Sequence, residues 1–220
     1  MLGRASADQS LTWGAPGCCP GEATCLWRLV GLKWWRDARD LPTLTDGRVQ
    51  LRGFITDDVA LVQSVAADPL IPLITTVPTS GTREDAHAYI ARQDDRLQTR
   101  AGCSFAIADE GTGESVGQIG LWLRDLDEGR ASTGYWIAPQ FRRRGYVRRA
   151  LILLADWALT LPEIERLELY VEPWNEGSWR AAEDSGFTRE GLLRSWQRVG
   201  DERKDMYMYS RLPIQRAARA

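Results

Sequence analysis

Apolar residues fall at helical spacing beyond residue 145. Val147, Ala150, Leu151, Leu154, Ala158 and Leu161 share one stripe, which predicts an amphipathic helix. A β-type run, Thr133-Gly134-Tyr135-Trp136-Ile137-Ala138, precedes it and is closed by Pro139; an alternating run over residues 167–172 follows it. Upstream, residues 48–54 read as a first strand with Val49 and Leu51 on one face. Thr56 is expected to N-cap a helix reaching residue 67, with Asp57 and Asp58 favourable in its first turn. A second helix opens at Thr82 and runs to residue 99, with Ala86, Tyr89, Ile90 and Leu97 as its apolar stripe. Residues 103–108 and 116–123 pair as a hairpin through Gly111-Thr112-Gly113, and residues 132–138 continue the meander. Two last strands, 193–199 and 203–211, meet at Gly200-Asp201. The fold class is therefore α/β: a mixed, mainly antiparallel sheet flanked by helices, with one parallel step across the helix after residue 145.

The turn between that step's first strand and its helix is unusual: Gln140-Phe141-Arg142-Arg143-Arg144-Gly145-Tyr146-Val147-Arg148-Arg149. A basic, glycine-containing turn at a helix start aims several N–H groups and the positive end of the helix dipole at one place, which suits phosphate oxygens. The plain alternative is a solvated basic turn capping a buried helix. A second loop decides between them: residues 167–172 lead into Pro173-Trp174-Asn175-Glu176-Gly177-Ser178 and a short helix ending at Ser185-Gly186-Phe187. Two strand-loop-helix units in succession place their loops at the same ends of neighbouring strands.

In order and content these motifs resemble the GCN5-related N-acetyltransferase (GNAT) superfamily, and within it the branch acting on ribosomal-protein N-termini. The matching pieces are Gly134-Tyr135-Trp136-Ile137, Arg142-Arg143-Arg144-Gly145-Tyr146, Asn175-Glu176-Gly177-Ser178, Ser185-Gly186-Phe187 and Glu190-Gly191-Leu192-Leu193-Arg194, with Leu41-Pro42-Thr43-Leu44 and residues 48–52 as the opening. The resemblance covers roughly residues 41–212. It implies an N-acyltransferase that uses acetyl-CoA or another acyl-CoA as co-substrate and a primary amine, a protein N-terminus or a small molecule, as acceptor. By the same resemblance, Arg142, Arg143, Arg144, Gly145, Tyr146 and Val147 hold the pyrophosphate, and Trp136, Ile137 and Ala138 pair with the pantetheine arm. Asn175 contacts that arm, and Ser178 gives a proton to the leaving sulfur. Asn175 also reads as a plain helix N-cap, and the two roles are compatible.

Several positions depart from the family. Val147 stands where glycine or alanine is usual, Ser132 and Thr133 replace a common glutamate, Arg149 replaces another, and Ala182-Glu183-Asp184 lacks the familiar tyrosine. Glu172, at the end of a strand beside the expected thioester, is the remaining carboxylate candidate for a base; it equally fits an exposed polar position in an alternating strand. The missing carboxylates keep a second reading open, a catalytically weak CoA-binding or regulatory protein of the same fold.

Composition narrows the field. The chain has 220 residues, 44% hydrophobic and 26% charged, and a net charge of −2, which disfavours a general nucleic-acid binder. A basic cluster within an acidic chain suits a small polyanion instead. No run reaches the roughly 18 apolar residues of a membrane helix, and residues 1–4 do not open a signal peptide, so a cytoplasmic protein is expected. A single histidine, His87, and cysteines at 18, 19, 25 and 103 give no metal-site spacing, and no metal is expected. Cys103 leads an apolar run and reads as core. Of ten tryptophans, Trp174 is the candidate for the acceptor pocket, joined by the apolar connector over residues 70–78, which otherwise packs on the core or a dimer mate. Residues 1–40 form an extension outside the resemblance. Its apolar run, residues 26–36, is either an added element on the domain or an arm to a second subunit. Residues 213–220 form a tail.

Overall fold

The computed structural model describes residues 41–213; the proposed arm over residues 26–36 and the first three cysteines lie outside the described residues. The strands are β1 (Leu44–Thr45), β2 (Val49–Arg52), β3 (Gly102–Asp109), β4 (Ser115–Trp122), β5 (Arg130–Ile137), β6 (Arg166–Val171), β7 (Thr188–Val199) and β8 (Glu202–Arg211). The helices are α1 (Val59–Ser64), α2 (Ile71–Ile74), α3 (Arg83–Gln98), α4 (Tyr146–Ala158) and α5 (Glu176–Asp184). All eight strands join one sheet in the order β1-β2-β3-β4-β5-β6-β8-β7. Its single parallel pair is β5–β6, the step across α4. The sheet is thus mixed and mainly antiparallel, as the sequence pattern predicts.

Helices cover both faces, which explains why β3 and β4 read as apolar runs rather than alternations: nearly every residue in them is buried. Phe105, Ile119, Leu121, Leu167 and Leu169 pack against Ala150, Leu151 and Leu154 of α4 on one side. Trp136 and Ala138 pack with Val62 of α1 and Tyr89 and Ile90 of α3 on the other. Cys103 is core as expected, and burial pushes its thiol up to about 12. Helix α3 begins as its sequence dictates: the Thr82 hydroxyl accepts the Asp85 N–H at 3.2 Å, and Glu84 and Asp85 sit in the first turn. Among the described residues no helix is long and apolar enough to cross a membrane.

Two expectations need correction. Thr56 does not cap α1; it starts a 3-10 turn, Thr56–Asp58, and the Asp58 carboxylate turns back to accept the Ile55 N–H at 2.8 Å and Arg52 at 2.7 Å. A buried carboxylate takes the partner that neutralises its charge. The helix then ends at Ser64, short of residue 67. Strand β7 also starts five residues early, at Thr188. That stretch is exposed on both faces, so no alternation marks it, and it is held by its ladder with β8.

The β4–β5 pairing is close where it matters for the site. Gly117 lies opposite Ile137, and a Cβ on Gly117 would run into the Trp136 carbonyl oxygen and lie 3.1 Å from Ile137 Cα. Gly117→Ala is therefore expected to lower unfolding stability by about 1–3 kcal/mol in urea melts. Gly53→Ala is the control, since its Cβ would meet nothing within 4 Å. Equal melts for the two variants would refute this account of the contact.

Candidate active site

The parallel ladder between β5 and β6 stops early. It runs from Arg130↔Arg166 to Thr133↔Leu169, although β5 continues to Ile137 and β6 to Val171. Beyond that point β5 follows β4, pairing up to Gly117↔Ile137, while β6 follows β8, pairing up to Val171↔Tyr207. Each strand keeps its outer neighbour and loses its inner one, so a cleft of about 800 Å³ opens between them. Gly134, Tyr135 and Trp136 line one side, and Leu169 to Glu172 the other. The β5 edge in this gap carries backbone groups outside the β6 ladder, a template for amide groups of a ligand.

The first turn of α5 closes one end of the cleft. The Asn175 side-chain carbonyl accepts the Ser178 N–H at 3.2 Å, and the Asn175 N–H donates to the Glu172 carbonyl at 2.9 Å. The N-cap role is thus real, and Asn175 also lines the cleft. The Tyr135 hydroxyl donates to the Ser178 carbonyl at 3.3 Å and ties β5 to this turn across the gap. Burial pushes Tyr135 up to about 12, so it is a neutral donor at pH 7. Ser178 is half-buried, lines the cleft, and its hydroxyl has no hydrogen-bond partner among the described residues. Glu172 lines the cleft too, but its carboxylate accepts the Trp174 indole N–H at 2.7 Å.

Trp174 itself is 62% exposed and lies outside the lining, which corrects its expected place in the acceptor pocket. Trp122, Trp136 and Trp196 supply the aromatic walls instead. Trp196 stacks on Tyr170 with ring centroids 5.7 Å apart. The connector divides its duties: Ile71 is buried with α1 and α3, whereas Leu70, Leu73 and Ile74 face the cleft. The β7–β8 hairpin leans on it, because a Cβ on Gly200 would sit 3.0 Å from Leu73.

A buried polar cluster forms part of the cleft wall. Trp136 donates its indole N–H to the Gln118 side-chain carbonyl at 2.7 Å, and the Tyr89 hydroxyl donates to the same oxygen. The Gln118 amide donates to Ser104 Oγ at 3.2 Å, which also accepts Arg96 Nη1 at 3.0 Å. Burial pushes Tyr89 up to about 12 and keeps it neutral. Sequence reasoning missed this cluster as a site feature. Its traces were a glutamine in an apolar strand and Tyr89, Gln93 and Arg96 on one face of α3.

The basic turn lies beyond the end of β5, outside the cleft lining. Arg143 and Gly145 take left-handed backbone conformations, φ 61° and 82°, and Gly145 sits at the N-terminal boundary of α4. The first N–H groups of a helix have no carbonyl within the helix to bond. A Cβ on Gly145 would meet nothing within 4 Å, so the space before the turn is open. Tyr146 is anchored below by donating to Asp109 at 2.7 Å. Val147 packs on the core, which turns its branched side chain away from the mouth of the turn.

The arginines split into two groups. Arg142 donates through Nε to the Ile137 carbonyl at 3.1 Å and pairs with Asp68 at 2.8 Å. Asp68 also accepts the Leu70 and Ile71 N–H groups at 2.9 Å. Burial works against its charge, but these N–H groups and Arg142 hold its carboxyl below the usual range. Arg148 donates to the Asp184 carbonyl at 3.2 Å, and Arg149 pairs with Asp46 at 2.6 Å. Arg143 and Arg144 have no carboxylate partner among the described residues; Arg144 lies over the Phe141 ring at 5.6 Å.

Known proteins share this fold. Residues 48–188 match the family model described as an acetyltransferase (GNAT) domain. The uncharacterized N-acetyltransferase p20 of Bacillus licheniformis is 27% identical over 172 residues, covering 78% of this chain and 97% of its own length. The GNAT-family acetyltransferase structure from Bacillus anthracis has a TM-score of 0.66 at 21% identity, over 78% of this chain and 99% of its own. Mycobacterium smegmatis RimJ in complex with CoA-disulfide has a TM-score of 0.65 at 22% identity, over 78% and 86%. With the matched segment spanning the split ladder, the basic turn and the α5 cap, this chain belongs to the GNAT acetyltransferase family and is an N-acetyltransferase.

Proposed function

We propose that the chain binds acetyl-CoA along the open edge of β5 and transfers the acetyl group directly to a primary amine, best a protein N-terminal α-amine. The observation that carries this reading is the divergence of β5 and β6 after Thr133↔Leu169, with Asn175 and Ser178 facing the bared edge. Of the stretch from Trp136 to Ala138, Ile137 offers the amide partner for the pantetheine arm, since the Ala138 N–H donates to the Val116 carbonyl at 3.0 Å and the Trp136 carbonyl faces Gly117. Arg143, Arg144 and the N–H groups of Gly145, Tyr146 and Val147 suit the pyrophosphate, while Arg142 shapes the turn through Asp68. The amine nitrogen attacks the thioester carbonyl, a β5 N–H steadies the oxyanion, the C–S bond breaks, and the sulfur takes the Ser178 proton, which solvent replaces.

The amine must arrive neutral. An α-amine, with a pKa near 8, is roughly one-tenth neutral at pH 7, whereas deprotonating a lysine near 10.4 costs about 4–5 kcal/mol. The carboxylates in the cleft are engaged, Glu172 by the Trp174 N–H and Asp125 by Arg130 at 4.0 Å. The proton therefore leaves to water with at most slight help from Glu172, which favours the acceptor of lower pKa.

Three measurements test this. Ser178→Ala is expected to lower kcat by about tenfold or more with the acetyl-CoA Kd unchanged; an unaltered kcat removes Ser178 from the mechanism. Glu172→Gln is expected to cost little, with kcat/KM still rising with pH up to the acceptor's own pKa. A loss of roughly a hundredfold would instead reveal a dedicated base. Asp68→Asn keeps the caps on Leu70 and Ile71 but breaks the latch to Arg142. Because Arg142 is 45% exposed, the pair contributes up to about 1 kcal/mol, so the acetyl-CoA Kd should rise by no more than about fivefold. No rise at all would show that the latch does not shape the turn.

A further inference from the structure

Two arginines line the cleft without a carboxylate to neutralise them: Arg96 on α3 and Arg124 just past β4. Arg96 reaches only neutral groups, Ser104 Oγ at 3.0 Å and Thr76 Oγ1 at 3.5 Å, with its guanidinium over the Trp122 ring at 5.7 Å. Arg124 is exposed and has no hydrogen bond or ion pair among the described residues. The two are close enough to feel each other: burial, with the charges of Arg92 and Arg124, holds the Arg96 pKa below its usual value. Of the other charged residues of the lining, Asp125 faces Arg130 and Arg198 pairs with Asp201 at 3.4 Å, while Glu172 keeps its charge, with one oxygen taken by the Trp174 indole N–H. Holding Arg96 over Trp122 is a packing role, but it gives no reason for a second unpaired cation beside it. A pair of like charges left bare in a binding cleft selects an anionic partner.

Strand register places this pair relative to the reaction. Gln118 lies opposite Trp136 and Trp122 opposite Ser132, while Ser104, which holds Arg96, lies opposite Gly120. The Arg96 guanidinium is thus level with Gly120 and Trp122, two to four residues along from Trp136, or roughly 7–14 Å at ~3.4 Å per residue. An extended peptide has nearly the same repeat. Its α-amine at the level of Trp136 would put the side chains of its third to fifth residues at the arginines. A free α-amino acid, whose carboxylate is attached to the carbon that bears its amine, does not reach.

We propose that the acceptor is a peptide N-terminus with an acidic side chain among its third to fifth residues, held by Arg96 and Arg124. This rests on the acetyl-transfer reading for the position of the amine. The test is calorimetric titration of the full chain, with and without CoA, by C-terminally amidated hexapeptides. They start with serine and carry Glu, Gln or Lys at residues three to five. The Glu peptide is expected to bind about tenfold tighter than the Gln peptide or more, with the Lys peptide weakest and free glutamate unable to compete. Arg124→Glu, a change on an exposed side chain, should reverse the order of the Glu and Lys peptides. Equal binding of the three, no binding of any, or an order unchanged in Arg124→Glu would overturn the proposal. Failure of CoA to bind would instead count against the acetyl-transfer reading, while the peptide order without CoA still decides this one.

Discussion

The site depends on a competition for hydrogen bonds between neighbouring strands. β5 can stay with β4 or with β6 beyond Thr133, and it stays with β4 as far as Ile137. The Trp136 indole helps fix that choice, because its bond to Gln118 at 2.7 Å spans the β4–β5 pair. β6 is likewise held by β8 as far as Val171. The sheet is in effect two half-sheets sharing four residue pairs, and the bared groups between them face a solvent-filled gap, where water satisfies them at little cost. The α5 cap follows directly from the end of β6, and the basic turn follows from the end of β5. Both functional loops are consequences of the same split.

Elements whose signal is local were legible in the sequence. The stripe of α3 and its Thr82 cap, the β3–β4 hairpin and the α4 stripe all follow from spacing and turn residues, and the structure keeps them. What sequence reasoning missed was set by partners distant in the fold or by ambiguous short-range choices. In the sequence Asp58 reads as a helix-start charge, yet Arg52 on β2 draws it into a buried pair. The first half of β7 carries no alternation because neither face packs. Trp174 looked like a pocket wall, but its N–H found Glu172 two residues away and its ring went to solvent.

The basic turn shows the same limit for electrostatics. A run of five arginines between residues 142 and 149 reads as one positive patch. In the fold, Asp68, the Asp184 carbonyl and Asp46 claim three of them, and these three fix the turn rather than face its mouth. Arg143 and Arg144 remain without carboxylate partners. The departure at Val147 loses its force for a similar reason: its side chain belongs to the core. Which arginine is a ligand and which a strut depends on carboxylates that are up to about a hundred residues away in sequence.

Around the cleft and the turn, the arginines without a carboxylate partner among the described residues fall at two places, the turn before α4 and the Arg96–Arg124 pair. Tyr89 and Tyr135 are both pushed up to about 12 by burial, and Glu172 is tied to an indole N–H. Such a cleft is poorly equipped to move protons and well equipped to align two extended ligands by their anionic ends. Alignment alone is a large resource, since well-oriented intramolecular reactions reach effective molarities of roughly 10⁵–10⁸ M. An acceptor that is already partly neutral at pH 7 then needs only to be held against the thioester. On the proposed reading, the tie of Glu172 to the Trp174 indole and a preference for an α-amine go together, with position doing the work that a general base does elsewhere.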